Sequence, residues 1–162
     1  MATVSRSGER QAVDDLLGAA GMAPSALVIA GEPGIGKTTL WLYGVERARE
    51  HGFRVLSTRA DEAESVLAYA AIADLLQDVE PEVLAGLPEL QRVALDRVLL
   101  RTGSEGPPTD QRVTGSAVAA VLTAMAARQP ILLAVDDVQW LDVSSQAALA
   151  FAARRLTGRV GL

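Results

Sequence analysis

Apolar positions along the chain fall into two alternating periods. Residues 9 to 20, ERQAVDDLLGAA, set Val13, Leu16 and Leu17 at helical spacing, and Gly21 and Pro24 break the pattern. ALVIAG, 26 to 31, is a short apolar run ending at glycine, which suits a strand buried on both faces. Thr38 to Glu50 then reads as a helix, with Gly52 just past its end, where a left-handed cap belongs. FRVLSTRA, 53 to 60, predicts a second strand. Val66 to Val79 predicts a helix with Leu67, Ala71, Leu75 and Val79 on one stripe, stopped by Pro81. A further amphipathic helix covers 88 to 101. TGSEGPPTD, 102 to 110, is a loop by its glycines and prolines and the one candidate hinge. A helix over 111 to 128, a strand ILLAV over 131 to 135 and a helix over 144 to 156 follow, and RVGL begins another strand. Strands separated by helices predict an α/β fold, a parallel sheet with helices on both faces, in a single domain over 1–162.

Composition narrows the chemistry. Aromatic residues make up only 4% of the 162, so the core must be built from Ala, Val, Leu and Ile. Net charge is −5 with no basic stripe, and no nucleic-acid contact is expected of this segment. There is no cysteine and one histidine, His51, which removes disulfides, thiolate and histidine-rich metal sites, and cysteine nucleophiles. The N-terminus is polar and charged, without the apolar core of a signal peptide. The longest apolar run, Ala117 to Ala127, is about half of the roughly 20 residues a membrane helix needs, and Thr123 interrupts it. No membrane contact and a cytoplasmic location are the expectations.

GEPGIGKT carries the chemistry. Gly31, Gly36, Lys37 and Thr38 satisfy G-x-x-x-x-G-K-[ST], between an apolar strand and a helix. A chain of this length matches that pattern by chance roughly once in a few hundred. In this setting backbone N–H groups form an anion nest, the helix N-terminus adds its positive end, and glycine lets the backbone approach phosphate. Of 15 basic residues 14 are arginine, and Lys37 is the single lysine. It sits where a slim ammonium, rather than a wide planar guanidinium, must reach β- and γ-phosphates. A dinucleotide fingerprint fits less well: Gly34 and Gly36 give G-x-G, but Thr39 stands in place of the third glycine.

ILLAVDDVQWLD, 131 to 142, is an apolar strand ending in two aspartates. A carboxylate at a strand's C-terminal edge can reach magnesium held by Thr38, which assigns the metal to Asp136. Asp137 is then placed to orient or deprotonate an attacking water. Trp140 reads as a core aromatic under the loop, with a partner contact as the alternative. Asp142, followed by Ser144 and Ser145, caps the next helix. His51 reads as a solvated or dipole-facing residue. Glu62 and Glu64 either face the nucleotide site or sit in a solvated loop. Arg154 and Arg155 read as a solvated helix end, with an arginine finger as the alternative.

The segments GERQAVDDLL, LVIAGEPGIGKTTLW, ADEAE…LAYAAIADLL and ILLAVDDVQWLD together resemble one family along nearly the whole chain. They look like the N-terminal ATPase domain of the large ATP-binding LuxR-type transcriptional regulators of bacteria, the MalT-like group. This is an origin-recognition-complex-like AAA ATPase domain among the STAND NTPases. DDVQWLD is the most specific piece. The resemblance implies a P-loop NTPase fold, ATP with Mg2+ as ligands, and a switch role with possible nucleotide-dependent self-association. It assigns phosphate binding to Gly31, Glu32, Pro33, Gly34, Ile35, Gly36, Lys37, Thr38 and Thr39, with Lys37 and Asp137 in the catalytic roles and Thr38 and Asp136 at the metal. It also places Glu9 and Arg10 near the base, although the family usually opens that segment with Gly-Arg.

The same resemblance implies a further strand with a polar sensor residue, another strand, a helical lid, helical repeats and a helix-turn-helix. These are missing from the sequence, so the chain is expected to be a C-terminally incomplete domain. It is expected to bind ATP weakly and turn over almost none. The expected strand would insert between the phosphate-loop strand and the Asp136 strand, starting near Val160. The alternatives to a slow regulatory ATPase are a small P-loop kinase, which would need an acceptor pocket and usually a lid, and an ATP-binding remnant without turnover.

Overall fold

The computed structural model describes residues 7–101 and 110–162. The expected hinge at 102 to 110 therefore lies outside the described residues, except for Asp110.

Two hydrophobic layers flank a parallel sheet. Strand β1 (Arg54–Arg59) pairs with β2 (Ile131–Asp136) in a register running from Arg54 opposite Ile131 to Arg59 opposite Asp136. Strand β3 (Val160–Gly161) lies on the other side of β2, with Val160 opposite Ile131. The sheet order is β1-β2-β3. Ser25 bridges to Gly161, so β3 sits between β2 and the segment leading to the phosphate loop, as the resemblance implied.

That segment differs from expectation. Residues 26 to 31 were expected to be a buried strand, but they form no ladder beyond the bridge at Ser25. The physical reason is the shortness of the strand beside them. β3 spans two residues, and its ladder reaches them through Ser25 N–H to Val160 O, Leu162 N–H to Ser25 O and Leu27 N–H to Leu162 O, each 2.9 Å. Leu27 and Ile29 are half-buried and Val28 is 83% exposed.

β2 is apolar on both faces because both are covered. Ile131 and Leu133 face one core, with Ile72, Leu76, Leu95 and Leu122. That core is built by helices α3 (Ala70–Leu76), α4 (Pro81–Ala85), α5 (Glu89–Val98), α6 (Gln111–Ala126) and α7 (Val143–Ala153). Leu132 and Ala134 face the other, smaller core, with Val13, Leu17, Leu40 and Val45 from α1 (Ser7–Ala20) and α2 (Lys37–Glu50). Arg47 of α2 ties this layer together by bonding Asp14 at 3.0 Å and Glu50 at 2.7 Å.

Two helix boundaries are corrected. The helix expected from Val66 starts only at Ala70, because Tyr69 takes a left-handed conformation at φ +66° and the preceding residues form turns. Val66 and Leu67 are exposed. Pro81 does not end a helix but opens α4, where its missing N–H costs nothing. Gly52 follows α2 at φ +75°, the left-handed cap read from sequence.

Candidate functional site

The loop from Gly31 to Gly36 is shaped by two glycines. Gly34 and Gly36 have φ of +78° and +89°, in the left-handed region that disfavours side chains. Ile35 N–H donates to Glu32 O at 3.3 Å, closing the turn. Gly36 is the residue before α2, and Lys37 and Thr38 form its first turn. A Cβ on Gly31 would stand 3.0 Å from Ile35 Cγ2, so the loop also leaves little room at its entry. The Lys37 ammonium folds back and donates to Gly31 O and Glu32 O, both at 3.0 Å. This is a loop closed on its own cation.

β2 delivers the two carboxylates. Asp136 is its last residue and is only 6% exposed. Its Oδ1 accepts from the Asp137 N–H at 3.0 Å. Its buried Oδ2 has no hydrogen-bond partner, and Arg59 Nε lies within ionic reach at 3.3 Å. Asp137 leaves the strand at φ +54°, one of the few side chains that tolerate it. Its Oδ1 accepts from Gln139 Nε2 at 3.0 Å. Lys37, Asp136 and Asp137 line one cavity of about 220 Å³. Gln139 also lines it, and most of the remaining lining is apolar, including Leu27, Ile29, Leu132 and Ala134. The cavity thus joins the first residue of α2, Lys37, to the two aspartates at the end of β2.

The residues fit a magnesium ion in one respect and leave it few protein ligands in another. Asp136 offers a buried, unfilled carboxylate oxygen. Among the described residues there is no group of three or more His, Cys, Asp or Glu suited to a metal. Magnesium characteristically takes one or two protein ligands and completes its shell with phosphate and water.

Other candidates lie elsewhere. Trp140 is 38% exposed on a short 3-10 turn, Val138–Trp140, so it is not the core aromatic expected of it. Glu62 and Glu64 lie exposed in a similar turn after β1. Arg10 stacks over Tyr43 at 4.9 Å from the ring centroid. Arg154 and Arg155 donate to Ala150 O and Phe151 O of their own helix. His51 Nδ1 sits 2.7 Å from Arg47 O. Sequence reading missed Gln139 and Arg59, the groups that hold the two aspartates. Gln139 stands two residues after Asp137. Arg59 meets Asp136 only through strand pairing.

The family model for the AAA ATPase domain matches residues 3–162. The chain belongs to the AAA ATPase domain family. No curated protein and no solved structure matches it. Family and sheet together give an α/β P-loop NTPase fold with a nucleotide-binding AAA ATPase domain. Among the described residues, no helix is long and apolar enough to cross a membrane.

Proposed function

We propose that this AAA ATPase domain is the magnesium–ATP switch of a LuxR-type signalling regulator, with slow hydrolysis setting its state of assembly. The observation that carries the nucleotide reading is the meeting of Lys37, Asp136 and Asp137 at one cavity beside a loop with two left-handed glycines. Gly31 through Thr39 cradle the phosphates, with backbone N–H groups and the first turn of α2 facing the anion. Lys37 leaves its two loop carbonyls to meet β- and γ-phosphate oxygens. Thr38 and Asp136 hold Mg2+, which, when bound, neutralises the charge that develops on the phosphates. Asp137 accepts the proton of the attacking water, with Gln139 fixing one of its oxygens. The regulator role is supported by the sequence resemblance centred on DDVQWLD.

The test is nucleotide affinity by calorimetry with ATP and magnesium. Lys37→Ala should weaken binding by roughly 10- to 100-fold, the worth of a charge-assisted contact. Lys37→Arg should also weaken it, because the planar guanidinium does not fit the loop. Unchanged affinity in both variants would falsify the cradle. Light scattering with ATP, ADP or no nucleotide tests the switch, and one oligomeric state in all three would remove that part.

A further inference from the structure

Asp136 has a cation beside it before any metal is present. Arg59 is the last residue of β1 and Asp136 the last of β2, and the parallel register sets them side by side. Arg59 Nε stands 3.3 Å from Asp136 Oδ2, with the arginine side chain 55% exposed and the aspartate 8% exposed. The contact balances charge without satisfying the oxygen, since Oδ2 is buried and has no hydrogen bond. The other oxygen, Oδ1, already accepts the Asp137 N–H. Oδ2 is the oxygen without a hydrogen bond, and a metal ion taking it there meets Arg59. Two cations on one carboxylate oxygen repel, and the carboxylate has little exposed surface on which to separate them.

We propose that Arg59 is a built-in competitor of magnesium: it occupies Asp136 while the metal is absent, and metal loading is the exchange of one cation for the other. The inference rests on the magnesium–ATP reading above. It gives Arg59 a positioning role. The arginine stands 3.3 Å from a nearly buried carboxylate oxygen and helps aim it, and it raises the magnesium concentration at which the site fills. Its exposed position lets the guanidinium swing away without unpacking a core.

The experiment titrates magnesium chloride into the chain with a fluorescent ATP analogue, for the wild type, Arg59→Gln and Arg59→Lys. Arg59→Gln should reach half-saturation at roughly 1.5- to fivefold lower magnesium, the range of a partly exposed ion pair. Arg59→Lys keeps a charge but not the reach of Nε, and it should fall between. Manganese binding without nucleotide, followed by electron paramagnetic resonance, should shift in the same order. An arginine that merely supported the fold would shift both in the opposite direction when replaced. Equal or higher magnesium demand in Arg59→Gln, with a normal melt, overturns the proposal. Should Arg59→Gln melt poorly, Arg59→Lys decides by the same criterion. A wild type whose nucleotide binding ignores magnesium overturns the magnesium–ATP reading and this proposal with it. A wild type that responds to magnesium while the variants match it overturns this proposal alone.

Discussion

Lys37 holds two carbonyls of its own loop, and that contact preserves the loop's shape without a ligand. The conformation itself depends on glycine. Gly36→Ala forces a side chain into φ +89° and should cost about 1–2 kcal/mol, read as a lower urea midpoint, in addition to any effect on phosphate binding. The two aspartates sit in different surroundings, and their variants should separate. Asp136 is buried with an unfilled oxygen, so Asp136→Asn should weaken the magnesium dependence of nucleotide binding. Asp137 is half-buried and held by Gln139, so Asp137→Asn should leave binding intact and lower turnover by roughly 10²- to 10⁴-fold. The measurement is magnesium-dependent affinity beside single-turnover phosphate release, in a preparation that turns over. If Asp137→Asn loses the magnesium response and Asp136→Asn keeps it, the roles are reversed.

At the scale of elements, Asp142 shows where sequence reading stopped. Its place before two serines predicts a cap for α7, and it does accept the Ser145 N–H at 2.8 Å. The same oxygen also accepts the Tyr69 N–H at 2.8 Å, and Ser145 Oγ accepts the Ile72 N–H at 3.2 Å. One buried carboxylate thus serves two helices far apart in sequence. Its demand for the Tyr69 N–H agrees with α3 starting at Ala70 rather than Val66. Asp142→Ala leaves buried donors without an acceptor and should cost about 2–4 kcal/mol in chemical denaturation, whereas Asp142→Asn retains an oxygen and should cost less. Strands β1 and β2, the long helices and the glycine loop were legible because each is written in local periodicity or a contiguous motif, whereas the run at 26 to 31 reads as a strand but has only the two-residue β3 to pair with. The pairings of Asp142 with Tyr69 and of Arg59 with Asp136 were not, since they depend on which elements become neighbours. Gly115 is another such case. A Cβ there would stand 2.9 Å from Phe151 Cβ and 3.0 Å from Ala148 O, so α6 and α7 touch at a glycine that reads in sequence only as a poor helix former. Gly115→Val should cost about 1–3 kcal/mol. Arg54 ties β1 to Glu80, just before α4, and its guanidinium holds the Glu80 carboxyl below the usual carboxylate range. Because that pKa is depressed by folding, the stabilisation is present above about 4.5 and is lost as pH falls through the folded value. Glu80→Gln should therefore lower the melting temperature at pH 7 and converge with wild type in acid.

For the whole molecule, the two layers are unequal, and the nucleotide elements belong to the smaller one. α1 and α2 rest on Leu132 and Ala134, while five helices cover the opposite face. The segment before the phosphate loop joins the sheet only through Ser25, Leu27 and the short β3. Further along, Leu27 and Ile29 are only half-buried and line a cavity together with Leu132 and Ala134 of β2. Fewer buried contacts and fewer ladder hydrogen bonds mean a lower free energy of local opening. Amide exchange should accordingly be faster across residues 26 to 45 than across α6 and β2. Binding to the closed form alone stabilises it by RT ln(1 + [L]/Kd), about 2.7 kcal/mol at a hundredfold excess over Kd. Magnesium–ATP should then slow exchange most across residues 31 to 45, where the native layer opens without it. Hydrogen exchange followed by mass spectrometry, with and without magnesium–ATP, checks both statements. Uniform protection throughout the chain would show that the two layers open as one unit. Nucleotide-dependent slowing confined to α6 would place the ligand on the other face of the sheet and remove the phosphate-loop site.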